Sequence, residues 1–141
     1  MEPQELINQI LIEKNLDYGD VAALYHQAEE IDLIEIVDRH TNKEQGLGVG
    51  ALSCIMALNR CLDPKSKRQT PDWYAGTVLP DLLEIPADQL NYQVLTRALD
   101  YLGNEAQRAI EHELAYQLAR LYGVSLEWLL YDITTTYMEG E

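Results

Sequence analysis

The residue best suited to chemistry is Asp132, inside the run "LLYDITTTYMEGE". From Leu129 to Met138 this run is dense in Leu, Tyr, Ile and Thr, which suit a pleated, half-buried surface and predict a β-strand. Aspartate is depleted from such surfaces, so its central position needs a reason. In period-two alternation Leu130, Asp132, Thr134 and Thr136 share one face. A carboxylate flanked there by small hydroxyl residues is a candidate ligand for Mg²⁺, which prefers carboxylate and water oxygens. The competing reading is a solvated acid at a strand edge.

Other chemistry-bearing stretches are weaker. "HELAY" at His112 begins like the zinc motif H-E-x-x-H, but Tyr116 stands where the second histidine is needed, so His112 reads as a surface helix residue. His26 and His40 have no partners at ligand spacing, and there is no C-x-x-C pair. "GLGVG", Gly46 to Gly50, could cradle an anion with backbone amides ahead of a helix. It lacks the Lys-Ser/Thr of a P-loop and follows no strand, so a glycine-lined helix start or close helix packing is expected. "KSKR" contains the one basic cluster, Lys65, Lys67 and Arg68, next to Trp73 and Tyr74. Such residues could touch a nucleic-acid backbone while the rings stack on bases. Against this stands a solvated loop before a helix whose Trp faces the core.

Composition narrows the function classes. With 141 residues, 47% hydrophobic, the chain can bury a core; its net charge of -14 disfavours a broad nucleic-acid or anionic-membrane surface. The acids are spread along the chain, as on a solvated surface. Cys54 and Cys61 lie seven apart in one predicted helix, about 10 Å by its rise, beyond the roughly 7 Å Cα limit of a disulfide. Buried thiols in a cytoplasmic protein are expected. "MEPQELINQ" lacks a signal-peptide apolar core and no apolar run is long enough to span a bilayer, so no membrane partner is expected.

The elements that must position these residues read as helices up to about Gly123. Asp20 can cap a segment with Val21, Leu24, Tyr25, Ala28 and Ile31 on one face, followed by a short run ending near Val37. Leu47, Ala51, Cys54, Ile55, Leu58 and Leu62 form the stripe of a central core helix, stopped by Asp63-Pro64. In "TPDW", Thr70 is the expected cap, Pro71 suits the first turn and Asp72 the positive end of the dipole. Pro80 and Pro86 bracket "DLLEI". Val94, Leu95, Ala98, Leu99 and Leu102 make another amphipathic helix ended by Gly103. Asn104 and Gln107 form a capping-box-like pair for the last helix, whose stripe is Ala106, Ile110, Leu114, Leu118 and Leu121. The prediction is a mainly α chain: a multi-helix domain over residues 1–124, then one terminal β-strand within residues 125–141. A lone strand leaves its backbone groups unpaired, so it needs a sheet from elsewhere.

Taken in order, "YGDVAALYHQAEEIDLIEIVDRH", "QGLGVGALSCIMALNRCLDPKSKRQTPDWYAGTVLPDLLEI", "RALDYL" and "LLYDITTTYMEGE" resemble the insertion-sequence DDE transposases, which have an RNase H-like catalytic fold. The resemblance runs from about Tyr18 onward. It implies that the helical part precedes the catalytic fold, that the "YD-T-T" strand begins that fold, and that Asp132 is the first acid of the Asp-Asp-Glu triad, a catalytic ligand of Mg²⁺. The implied chemistry is DNA cleavage and strand transfer at insertion-sequence ends, where two metals activate the attacking oxygen and stabilise the leaving one. The second Asp and the Glu have no counterparts in these residues, so the expectation is a fragment that is inactive by itself and retains little metal affinity. The acidity favours a role in assembling the transposition complex over binding DNA ends, with a homo-oligomer or an intact transposase as partner. Two further readings stay open: a stand-alone helical interaction or regulatory module derived from a transposase, and a small metal-dependent nuclease using Asp132.

Overall fold

The structure, a computed structural model, describes residues 15–124; the expected terminal strand and Asp132 lie outside them. Among the described residues the elements are α1 (Gly19–Glu30), α2 (Leu33–His40), α3 (Val49–Leu62), α4 (Thr70–Ala75), α5 (Leu79–Leu82), a 3₁₀ turn (Ala87–Gln89), α6 (Tyr92–Asp100) and α7 (Asn104–Tyr122). The mainly helical architecture agrees with the periodicity of the sequence.

Helix α3 is the axis of the body. Val49, Leu52, Cys54, Ile55 and Leu58 are all buried, and a helix apolar over so wide an arc must be enclosed by neighbours. Helices α1, α2, α4 and α6 supply that enclosure, with α2 making the most extensive contact. Asp63 closes the helix ahead of Pro64, as the sequence predicts. Asp17 and Thr77 form an isolated parallel bridge, through bonds of 3.0 Å to the Gly76 carbonyl and 3.1 Å from the Val78 amide, tying the start of the body to the α4–α5 link.

The α2–α3 contact depends on Gly50. A Cβ added there would lie 2.2 Å from the Ile34 carbonyl oxygen, so only glycine permits this approach. The same closeness lets Asp38 of α2 act across the interface: its Oδ1 accepts the Gly50 amide at 2.7 Å. The N-cap residue of α3 is Gly48, which has no side chain to offer, so the cap comes from a neighbouring helix and also meets the positive end of the dipole.

Several local expectations are corrected. Asp20 is not a cap; α1 begins at Gly19, and Asp20 lies in its first turn with Oδ1 accepting the Val21 amide at 2.8 Å. Thr70 is the first residue of α4 because Gln69 before it already has helical angles; its hydroxyl donates backward to the Ser66 carbonyl at 3.0 Å. Asn104 starts α7 with Gly103 as N-cap, and Gln107 donates to Glu111 at 2.8 Å instead of closing a capping box. Asn91, an unanticipated cap, accepts the Val94 amide at 3.0 Å and starts α6. Helix α2 runs past Val37 to His40, and α6 ends at Asp100, so Leu102 follows it. Gly123 has the left-handed φ of 64° that its helix-ending position implies. Both cysteines are free, but only Cys54 is buried; Cys61, in the last turn of α3, is exposed.

Burial pushes three acidic groups upward. Tyr25 rises from 10.0 to about 12, mainly by loss of water and then by nearby Glu29. Tyr74 also rises to about 12, through burial and then Asp81. Cys54 rises from 9.0 to about 11, again through burial first.

Two outcomes are expected. Gly50→Ala should destabilise the fold by roughly 1–3 kcal/mol or more, and Asp38→Ala by about 1 kcal/mol, both read as lower denaturation midpoints at an unchanged slope. Because the folded state holds the three protons more tightly than the unfolded chain, their contribution to stability should be flat from neutral pH to about pH 9. It should then fall progressively as pH rises through the unfolded values toward the folded ones, near 11 to 12, in denaturant titrations at each pH.

Candidate nucleic-acid interface

The loop carrying Lys65, Lys67 and Arg68 is shaped from below by one buried amide. Asn59, in the last turns of α3, is 3% exposed, a costly place for a carboxamide unless its bonds are filled. Its Nδ2 donates to the Asp63 carbonyl at 2.9 Å, and its Oδ1 accepts the Lys65 amide at 3.1 Å and the Thr70 hydroxyl at 3.4 Å. One side chain thus joins the end of α3, the middle of the loop and the start of α4. Ser66 and Gln69 close the loop locally, with the Ser66 hydroxyl donating to Gln69 Oε1 at 3.1 Å.

All three basic side chains point to solvent from this support. Lys65 pairs with Asp63 at 3.1 Å, an exposed contact of small energetic weight. Among the described residues no acid lies within ion-pair distance of Lys67 or Arg68. The structure therefore places the three predicted residues together on one exposed loop.

The aromatic partners differ from those the sequence suggested. Tyr74 is fully buried and donates its hydroxyl to the Ile85 carbonyl at 2.8 Å. Trp73 is half-buried and packs against the core. Tyr74 therefore cannot stack on a base, and Trp73 is partly withdrawn against the core. Tyr92 takes that place: it is 43% exposed, and the Arg68 guanidinium lies 5.1 Å from its ring centroid. Arg68, Asn91, Tyr92 and Gln93 line a shallow cleft of about 430 Å³. Chain separation concealed Tyr92, since it lies 24 positions after Arg68.

The remaining candidates resolve structurally. At the glycine-rich start of α3, the Asp38 carboxylate already occupies the position an anion would take, and a phosphate there would face a like charge. His112 is exposed. His26 pairs with Glu29 at 2.8 Å on the surface of α1. His40 Nε2 lies 2.6 Å from Glu113 Oε2, and Arg39 pairs with the same carboxylate, a link between α2 and α7 with no local sequence signal. Among the described residues no group of three or more His, Cys, Asp or Glu is arranged to hold a metal. Asp132, the predicted metal ligand, is outside them. No described helix is long and apolar enough to cross a membrane.

No protein-family model, curated protein or solved structure matches the chain.

Removing the supporting amide should affect loop and fold together. Asn59→Ala should cost on the order of 1–3 kcal/mol, since it strands polar groups at the α3–α4 junction. The triple change of Lys65, Lys67 and Arg68 to Ala should leave the unfolding free energy within about 0.5 kcal/mol of wild type. Chemical denaturation of the two variants side by side checks both.

Proposed function

We propose that this chain is the helical segment preceding the catalytic fold of an insertion-sequence DDE transposase, acting in assembly of the transposition complex and not in catalysis by itself. The observation that carries this reading is the ordered series of sequence stretches from Tyr18 onward, ending on the "YD-T-T" run with Asp132. Helical structure between Gly19 and Tyr122, where the resemblance calls for helices, is compatible with it. Asp132 would supply one Mg²⁺ ligand, and two further carboxylates would be needed to hold the metal pair that drives in-line displacement.

The net charge of -14 favours assembly over broad DNA contact. Contact with DNA ends, where it occurs, belongs to the Lys65, Lys67 and Arg68 loop with Tyr92 beside it. A second reading, a helical interaction or regulatory module derived from a transposase, gains support from the apolar surface left exposed along α7.

The deciding experiment sequences and translates the DNA around the coding region. Flanking inverted repeats, with a frame that supplies a second Asp and a Glu on RNase H-like strands, support the transposase reading; their absence overturns it and leaves the interaction module. Biochemically, a polypeptide of these 141 residues should show no Mg²⁺-dependent nicking or strand transfer. Binding to duplexes taken from the flanking DNA should depend only weakly on salt. A log–log salt slope near -3 or steeper, as for three or more phosphate contacts, would shift the role to DNA-end binding.

A further inference from the structure

A cleft of about 600 Å³ is lined by the α2–α3 link, the 3₁₀ turn and α6, and neither the basic loop nor Tyr92 borders it. Its helical wall is regular. Asn91, Val94, Arg97 and Tyr101 follow one another at spacings of three and four, so they share one face of α6 and its two ends. The other wall is built around Lys43. Gly46, at a left-handed φ of 79°, turns the link, and Lys43 Nζ donates to the Leu47 carbonyl at 2.5 Å. The same Nζ stands 5.9 Å from the centroid of the Tyr101 ring. One carbonyl and one ring thus hold a half-buried ammonium at the cleft. Among the described residues that carbonyl takes one of its three N–H donors, leaving two for a ligand.

Among the described residues no carboxylate lies within ion-pair distance of Lys43 or Arg97. In a chain with 24 acids and 10 Lys and Arg, two cations lining one cleft without such a partner mark a place for an anion, whose binding relieves their repulsion. A phosphate monoester carries nearly two negative charges at neutral pH and matches the pair. The remaining lining says what the phosphate is attached to. Asp88 is the one acid of the cleft, and an ionised carboxylate only accepts hydrogen bonds, so it suits hydroxyl groups and repels a second phosphate. Gln45 and Gln89 add donors and acceptors, while Leu47 and Val94, both half-buried, give an apolar patch. We propose that the cleft binds a phosphate monoester of a small hydroxylated compound, a ribose 5-phosphate unit either free or within a nucleoside monophosphate. Lys43 and Arg97 hold the phosphate, and Asp88 accepts from the sugar hydroxyls. The α3 N-terminus, filled by Asp38, takes no part. The proposal goes beyond the transposase reading and does not rest on it, since that reading uses none of these residues.

Isothermal titration calorimetry of the full chain at low salt tests this. Ribose 5-phosphate should bind with a dissociation constant of about 1 mM or below, and ribose and inorganic phosphate each at least about tenfold more weakly. Arg97→Ala and Lys43→Ala should each weaken the ester about tenfold or more, as loss of a charged hydrogen bond does. If Lys43→Ala also lowers the denaturation midpoint by loosening the link, Arg97→Ala decides, because that side chain is exposed. Asp88→Asn should weaken ribose 5-phosphate while leaving inorganic phosphate bound no worse, which separates the hydroxyl contact from the charge. Arg108→Ala, exposed on α7 outside the cleft, should change nothing. Adenosine 5′-monophosphate binding more tightly than ribose 5-phosphate assigns the nucleotide as ligand; equal or weaker binding assigns the sugar phosphate itself. No heat from either ester at about 5 mM overturns the proposal. So does binding that survives Arg97→Ala, or inorganic phosphate binding as tightly as the esters, which would make the cleft a place for an adventitious ion only.

Discussion

The close contact between α2 and α3 is the constraint on which the rest of the body depends. Gly50 brings the α3 backbone against the Ile34 carbonyl, and that distance alone allows Asp38 to reach the amide it caps. The helix so fixed carries Leu52, Cys54 and Ile55 into the centre of the core, and Asn59 at its far end shapes the basic loop. A shift of α3 along its axis would therefore disturb both the packing of α1, α2, α4 and α6 and the presentation of Lys65, Lys67 and Arg68. The capping carboxylate also explains why a glycine-rich helix start does not offer an anion site: the protein fills it with its own charge.

Helix α7 is held differently. Apolar burial anchors its N-terminal half at Ile110, while bonds to Arg39, His40, Asp32 and Gln27 orient the remainder. Polar bonds specify direction and register, but exposed ion pairs add little stability. The division leaves apolar surface along the C-terminal half of the helix exposed.

Much of the helical layout was legible because it rests on short-range chemistry. The stripes of α1 and α3, the Asp63-Pro64 stop, Pro71 in the first turn of α4 and the left-handed Gly123 all follow from residues within one or two turns of each other. Capping was less legible. Asp20, Thr70 and Asn104 are residue types that cap helices, yet Thr70 and Asn104 sit one position inside and Asp20 two, because the preceding backbone had already turned helical or a glycine took the cap position. Residue type states a preference, and the path of the chain decides whether it is used.

The sequence by itself determined a mainly helical chain with a central apolar helix, an acidic surface and a single basic loop, since composition, periodicity and proline positions are local properties. Tertiary structure decided what faces that loop and what caps the core helix. Tyr92 replaces Trp73 and Tyr74 beside Arg68 because α4 buries Tyr74 and packs Trp73 against the core, while α6 brings a distant ring alongside. Asp38 caps α3 because two backbones meet where glycine allows it, and Glu113 joins His40 across 73 positions because α7 lies on α2. Such pairings depend on how helices stack, a relation between distant segments that no local pattern encodes.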